Sequence, residues 1–277
     1  MFTLSLTFDR LINGTSFVAD MRRMLTTLHE AYTVPVDVEF TVNFLADGTH
    51  RINLVQCRPF QVRAVSRGVD LPEHLSASCA CVDSRGPIIG SGRAGAVDRL
   101  VYVVPGAYGS LGDNDRYAVA RTVGRLTHLD REKQPVIMLL GPGRWGTSSP
   151  SLGVPVTFAE IDTVGAICEL ALMHEGLVPD VSLGTHFFND LVEADIAYIA
   201  VYPSRQGYLY NEKLLASLPN RLTELLPDAA KWAQVIRVID PPAGGDGGLV
   251  LNVNPLQQRA VLYREEREGE RENETAR

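Results

Sequence analysis

The sequence predicts an α+β fold, and three observations carry that prediction. Near the N-terminus a segment with helical periodicity passes directly into a period-two hairpin. Further strands and helices then follow in mixed order, with few clean strand-helix-strand repeats, which argues against a doubly wound sheet. The composition, 45% hydrophobic and 21% charged over 277 residues, supports one large or two ordinary packed domains and excludes disorder and collagen.

The elements follow in chain order. Thr15 or Ser16 can cap a helix whose apolar residues Phe17, Met21, Met24, Leu25, Leu28 and Tyr32 fall at helical spacing, and Pro35 stops it. From Val36 the period becomes two. Val36, Val38, Phe40, Val42 and Phe44 alternate with Asp37, Glu39, Thr41 and Asn43, the pattern of a half-buried strand. Asp47-Gly48 reads as a two-residue hairpin turn and residues 52–59 as the returning strand. A polar connector separates this unit from the rest. The expected organisation is a first piece over 1–63, the connector over 64–78, a mixed α/β domain over 79–263 and a charged tail over 264–277.

Within the larger region, strands are expected at 80–82, 100–104, 136–140, 164–171, 196–202, 235–239 and 249–253, and helices at 115–129, 186–194 and 211–218. The tail holds four arginines and six glutamates with hardly an apolar residue, and reads as a solvated fraying helix or as disorder.

Charge and cysteine usage narrow the function classes. Against 33 acidic residues stand 26 basic ones, giving −7, and Lys133, Lys213 and Lys231 are the only lysines. A net-negative chain is a poor general nucleic-acid binder. No apolar run approaches the ~20 residues that span a bilayer, and Met1 to Arg10 lacks the pattern of a secretory leader, so a cytoplasmic protein is expected. Cys79-Ala80-Cys81 is one residue too tight for the usual zinc or redox pair and has no second pair. With Cys57 and Cys168 these read as small, buried or half-buried residues.

The hairpin carries chemistry. With a two-residue turn, Glu39 faces Gln56, Asp37 faces Arg58, and all four share one sheet face; Val38 opposite Cys57 and Phe40 opposite Val55 form the apolar backing. By spacing alone this is an exposed sheet face with one cross-strand ion pair. It also suits a half-shell for a hard cation such as Mg²⁺, built from a carboxylate and an amide oxygen, with Arg58 forking onto a phosphate.

Asp37-Val38-Glu39-Phe40 followed by Gln56-Cys57-Arg58-Pro59 resembles the end of the ATP-grasp nucleotide-binding domain of phosphoenolpyruvate synthase and pyruvate phosphate dikinase. The resemblance implies that Glu39 and Gln56 sit at the metal-bound polyphosphate of ATP and Arg58 at its phosphates. ATP and Mg²⁺ are thus the implied cofactors. In that family most of the nucleotide site precedes this hairpin, whereas only 38 residues, none a lysine, precede Glu39 here. The family's phosphohistidine domain and pyruvate-binding barrel have no counterpart in the sequence.

Two stretches fit Gly-x-Gly-x-x-Gly, Gly90 to Gly95 and Gly141 to Gly146. Neither suits a dinucleotide site. The first runs into a strand, and Pro150, Gly153 and Pro155 forbid a helix directly after the second. The second loop could still gather Arg144, Thr147, Ser148, Ser149 and backbone amides around an anion, or it could be a structural loop with Trp145 plugging a contact. His186, in Gly184-Thr185-His186-Phe187-Phe188, stands at a helix start and is open to structural or catalytic use. Gly141 to Gly146, Leu152 to Val156 and Gly184 to Phe188, in that order, resemble a C-terminal region of large bacterial proteins that carry a phosphoenolpyruvate/pyruvate-binding domain. The resemblance assigns no catalytic role there, so Arg144 and His186 are candidates from chemistry alone.

The expected function is therefore that of a phosphoenolpyruvate-synthase-like protein of the ATP-dependent phosphotransferase (kinase) class, similar to a pyruvate, water dikinase. Its ligands would be a nucleotide and pyruvate or phosphoenolpyruvate. It is expected to be a fragment or one half of a split enzyme, inactive until an upstream polypeptide completes the ATP site. The alternative is a non-catalytic regulatory module that keeps the fold and binds an anion or a partner.

Overall fold

Two compact units, Met1–Val62 and Arg63–Arg277, divide the chain. The computed structural model describes residues 7–33, 36–59, 69–72, 75–76, 78–173, 178–179, 181–182, 186–241 and 247–265. The fold is α+β.

In the first unit a short helix α1 (Asp9–Gly14) precedes α2 (Phe17–Tyr32) and the hairpin of β1 (Val36–Phe44) and β2 (His50–Pro59). Ser16 takes the N-cap position of α2, but its hydroxyl bonds Asp20 Oδ2 at 2.7 Å, while Thr15 Oγ1 accepts from the Phe17 amide at 3.2 Å. The helix stops at Thr33, whose left-handed backbone (φ 61°) lets its amide reach His29 O at 2.8 Å. The expected stop, Pro35, lies outside the described residues. Phe17 holds α2 to the hairpin, its ring 6.1 Å from both Phe40 and His50.

The hairpin register departs twice from the expected one. Leu45 N donates to Thr49 O at 2.9 Å and Gly48 N to Leu45 O at 3.0 Å, with Gly48 at φ 82°. The loop therefore has three residues, not two, because the left-handed residue after the turn is Gly48, where no Cβ opposes that backbone. A β-bulge then compensates: Phe40 pairs with Leu54, correcting the expected Phe40–Val55 pair, and Val55 is the extra residue, 63% exposed. Beyond the bulge Val38 pairs with Cys57, Glu39 with Gln56 and Asp37 with Arg58.

The second unit is built on a six-stranded sheet in the order β13-β6-β7-β10-β11-β4. Its strands are β4 (Ile88–Ile89), β6 (Arg99–Val103), β7 (Ile137–Pro142), β10 (Ala166–Leu170), β11 (Ala197–Val201) and β13 (Ile236–Ile239). The four central strands are mutually parallel and the two edge strands antiparallel. One face packs on α4 (Asp113–Thr127) and α5 (His186–Glu193) through Val101, Leu139, Ile167 and Tyr198. The other, through Leu100, Met138, Cys168 and Ile199, packs on a second sheet. That antiparallel sheet has the order β12-β3-β15-β14-β5, from β3 (Ala80–Ser84), β5 (Arg93–Val97), β12 (Leu209–Tyr210), β14 (Leu249–Asn254) and β15 (Arg259–Arg264). Alternate residues of each central strand thus feed different cores, which is why these strands read as unbroken apolar runs.

The Gly90 to Gly95 stretch does run into a strand, but into β5, an unexpected edge strand paired with β14, ahead of the one expected at 100–104. One local expectation is corrected here. Arg264, expected to open the charged tail, is instead the last residue of β15, paired with Leu249; residues 266–277 lie outside the described residues. The four cysteines are free, with Cys79, Cys81 and Cys168 buried and Cys57 half-buried. Burial pushes the Cys81 thiol up to about 12.

An ion-pair network closes the β6–β13 end. The Arg99 guanidinium, almost fully buried, forks onto Asp240 with Nε–Oδ1 2.9 Å and Nη2–Oδ2 2.8 Å, and reaches Asp130 at 3.2 Å. Arg221 reaches the same Asp240 at 3.2 Å. Removing one partner of a buried pair leaves a desolvated charge, so Arg99→Ala is expected to cost roughly 3 kcal/mol. Arg99→Lys should restore part of this loss, and urea unfolding of both variants measures it.

Candidate functional site

The polar face of the hairpin follows from strand alternation. Val38, Phe40 and Val42 face α2, so Asp37, Glu39 and Thr41 point to the other side, joined there by Asn53, Gln56 and Arg58 of β2. Asn53 Nδ2 donates to Thr41 Oγ1 at 3.3 Å, which ties the two strands on this face. Glu39 is exposed, while Gln56 and Arg58 are half-buried. The Gln56 amide turns its oxygen to Arg58, accepting from Nη2 at 3.1 Å and from Nε. The structure therefore brings Glu39, Gln56 and Arg58 together on one face.

This donor set fits a hard cation only as a partial shell. Among the described residues no group of three or more His, Cys, Asp or Glu side chains could hold a metal ion. A carboxylate and an amide oxygen leave the remaining positions to phosphate oxygens and water, the way Mg²⁺ is usually held beside a polyphosphate.

The candidates of the second unit lie elsewhere, Arg144 just past β7 and His186 at the start of α5. Arg144 and Trp145 form β8 (Arg144–Trp145), paired with β9 (Gly153–Val154). Gly143 sits at φ 60°, and a Cβ on it would collide with the Leu152 carbonyl oxygen. A Cβ on Gly141 would stand 2.7 Å from the Trp145 ring, and one on Gly146 would enter the Phe187 ring. The glycines of this loop thus serve close packing. Thr147 Oγ1 accepts from the Ser149 amide at 3.1 Å, so that hydroxyl is engaged within the loop. Arg144 is half-buried. His186 opens α5, but its side chain, with Gly184 and Thr185, lies outside the described residues.

Sequence reasoning missed the charged residue at the centre of this region. Glu169, on β10 with 0% exposure, accepts at Oε1 from Trp145 N (2.9 Å) and Ser182 Oγ (2.5 Å). At Oε2 it accepts from Ser182 N (2.7 Å) and Tyr198 Oη (2.8 Å). Burial raises its pKa against the opposing pull of these donors. Phe188 packs edge-on against the ring of Tyr198, itself a donor to this carboxylate, at 5.3 Å. The signal in the sequence was a lone acid inside an apolar run, Ala166-Ile167-Cys168-Glu169-Leu170.

The hairpin face, combining a carboxylate, an amide oxygen and a guanidinium, belongs chemically with surfaces that bind phosphates and their metal ions. Residues 10–77 match the family model of the pyruvate phosphate dikinase AMP/ATP-binding domain. No curated protein matches the chain, and no solved structure does. No helix among the described residues is long and apolar enough to cross a membrane.

Glu169 yields a test. Each of its oxygens accepts one main-chain N–H, and Gln can accept on one side only. Glu169→Gln is therefore expected to leave a buried amide unsatisfied and to cost roughly 1–3 kcal/mol. Because the folded-state pKa is raised, this group's contribution is complete below the ordinary glutamate range and is lost as pH rises through the folded value. The advantage of the native chain over Glu169→Gln should thus be largest in acid, measured as urea midpoints against pH.

Proposed function

We propose that the hairpin is part of an ATP-grasp nucleotide site, in which Glu39 and Gln56 hold Mg²⁺ on the polyphosphate of ATP and Arg58 grips phosphate oxygens. The observation that carries this reading is the register: past the bulge, Glu39 stands opposite Gln56 and Asp37 opposite Arg58 on one polar face. The family match to an AMP/ATP-binding domain supports it. Bound Mg²⁺ would neutralise charge on the phosphates. The protein's part is orientation, with Arg58 supplying a planar pair of donors and α2 backing the sheet.

On this reading the protein is a phosphoenolpyruvate-synthase-like ATP-dependent phosphotransferase acting on pyruvate or phosphoenolpyruvate. Polypeptide beyond the hairpin supplies the adenine pocket and the remaining phosphate contacts. Four free thiols fit a cytoplasmic setting.

A second reading, a non-catalytic module that binds an anion or a partner, draws on a different observation. In the larger unit the glycines of 141–146 are spent on packing, and Glu169 is fully engaged by internal donors. Arg144 and His186 then serve recognition and not catalysis.

Calorimetric titration of ATP with Mg²⁺ into the chain, with and without an upstream-encoded polypeptide, tests the first reading. Glu39→Ala and Arg58→Ala should each weaken binding by about tenfold or more, as expected for a lost charge-assisted contact of ~1.5–3 kcal/mol. Binding that ignores both substitutions, or no binding under either condition, overturns it.

A further inference from the structure

The main-chain N–H and C=O groups along a sheet edge lack partners unless another part of the chain caps them. Among the described residues four strands bound the two large sheets of the second unit, namely β13, β4, β12 and β5. Three of these edges are blunted. Along β13, Val238 N donates to Asn220 Oδ1 at 2.9 Å, the Arg221 amide donates to Val238 O at 2.8 Å, and Asn220 Nδ2 donates to Ile236 O at 3.1 Å. At β4, Gln258 accepts the Ile88 amide on Oε1 at 3.1 Å and returns Nε2 to Ile88 O at 2.8 Å. The β12 edge is only two residues long.

β5 has no such cover among the described residues. Its strand partner is β14, and Ala94, Gly95 and Ala96 are all exposed. A Cβ built on Gly95 would meet nothing within 4 Å, so the strand is open to an approaching chain. Proteins usually guard such an edge with a charge, a proline or a bulge. Here the ladder to β14 is regular and residues 94–97 are Ala-Gly-Ala-Val. The charge of the strand, Arg93, is spent elsewhere. Its Nη1 donates to Gly165 O at 2.5 Å and its Nη2 to Asp195 O at 2.7 Å, which holds the guanidinium against the segments that precede β10 and β11.

The edge is complementary to itself. Two identical strands related by a two-fold axis pair antiparallel, and with the axis at Gly95 each Ala94 faces the other copy's Ala96. Small side chains on both strands then meet without a clash. Arg93 opens β5 and Asp98 follows it directly, so antiparallel pairing sets a positive end beside a negative end at both limits of the seam. Asp98 spends Oδ2 on the Val136 amide at 2.8 Å, and among the described residues no cation pairs with it. Val136, 47% exposed, accepts the Asp98 amide on its carbonyl and adds apolar surface at that end. Each chain offers one β5, so such pairing closes at two copies.

We propose that two copies of this chain associate through β5, joining their five-stranded sheets into one continuous antiparallel sheet. Five residues a side make a short seam against the ~800 Å² per partner of a stable interface, so the dimer is concentration-dependent and not obligate.

Sedimentation velocity of the full chain in reducing buffer, from about 1 μM to a few hundred μM, provides the test. A reversible monomer–dimer equilibrium is expected. Ala94→Lys with Ala96→Lys, and Ala94→Glu with Ala96→Glu, should each weaken it about tenfold or more, because like charges then stand directly opposite across the seam. Mixing the two double variants should restore association as a heterodimer. Both positions are exposed, so the urea midpoints should match the native chain. If a charged pair lowers the midpoint, the mixing experiment decides. A chain that stays monomeric throughout, a dimer indifferent to the charged pairs, or mixed variants that fail to recover association overturns the proposal. So does a dimer lost instead on Phe44→Ser, which places the contact on the exposed apolar residues of the hairpin.

Discussion

The second unit depends on one constraint: its central sheet is covered on both faces. A strand covered on both sides has no position at which water can solvate a side chain, so β6, β7, β10 and β11 are apolar throughout except at their ends and at Glu169. That exception organises its neighbourhood. A carboxylate so placed must find donors, and those it finds come from Trp145, Ser182 and Tyr198, three separate stretches of chain. The loop at 141–146 and the chain at Ser182 are thereby held to the same strand end. The glycines of the loop are a consequence, since only residues without a Cβ allow the Trp145 and Phe187 rings and the Leu152 carbonyl to come so close.

The first unit obeys a different rule. None of its described residues is buried, and Phe40, Phe44, Leu54 and Val55 remain exposed beside α2. A hairpin of this kind is fixed less by core packing than by its turn and its bulge. Those two features each displace the register by one residue in opposite senses, so the pairing at the far end matches what a two-residue turn and a regular ladder would give. The proposed phosphate-binding face owes its alignment to this cancellation. Losing either feature alone would move Gln56 and Arg58 relative to Glu39 and Asp37.

Much of the architecture was legible in the chain. Helical spacing located α2 and α4, and alternation located β1. Apolar runs located β6, β7, β10 and β11 to within about two residues, the usual uncertainty at element ends. Other strands escaped. β5 hid in a glycine-rich stretch, and β15 was masked by arginines at both ends of Arg259–Arg264, although Ala260 and Leu262 alternate inward. Edge strands and half-exposed faces need few apolar residues, so their periodicity is weak.

The sequence by itself determined the α+β class, the polar face of the hairpin and the identity of the residues on it, because strand period and cross-strand pairing are local properties. It also carries the match of residues 10–77 to an AMP/ATP-binding domain model. Only the tertiary structure decided that Val55 is bulged, that the 141–146 glycines serve packing, and that Glu169 is the hub of the larger unit. It likewise left β5 as the uncapped edge of the second unit among the described residues. These depend on which distant segments share a surface, and no periodicity along the chain encodes the donors a buried carboxylate will find or the edge that no other segment will cap.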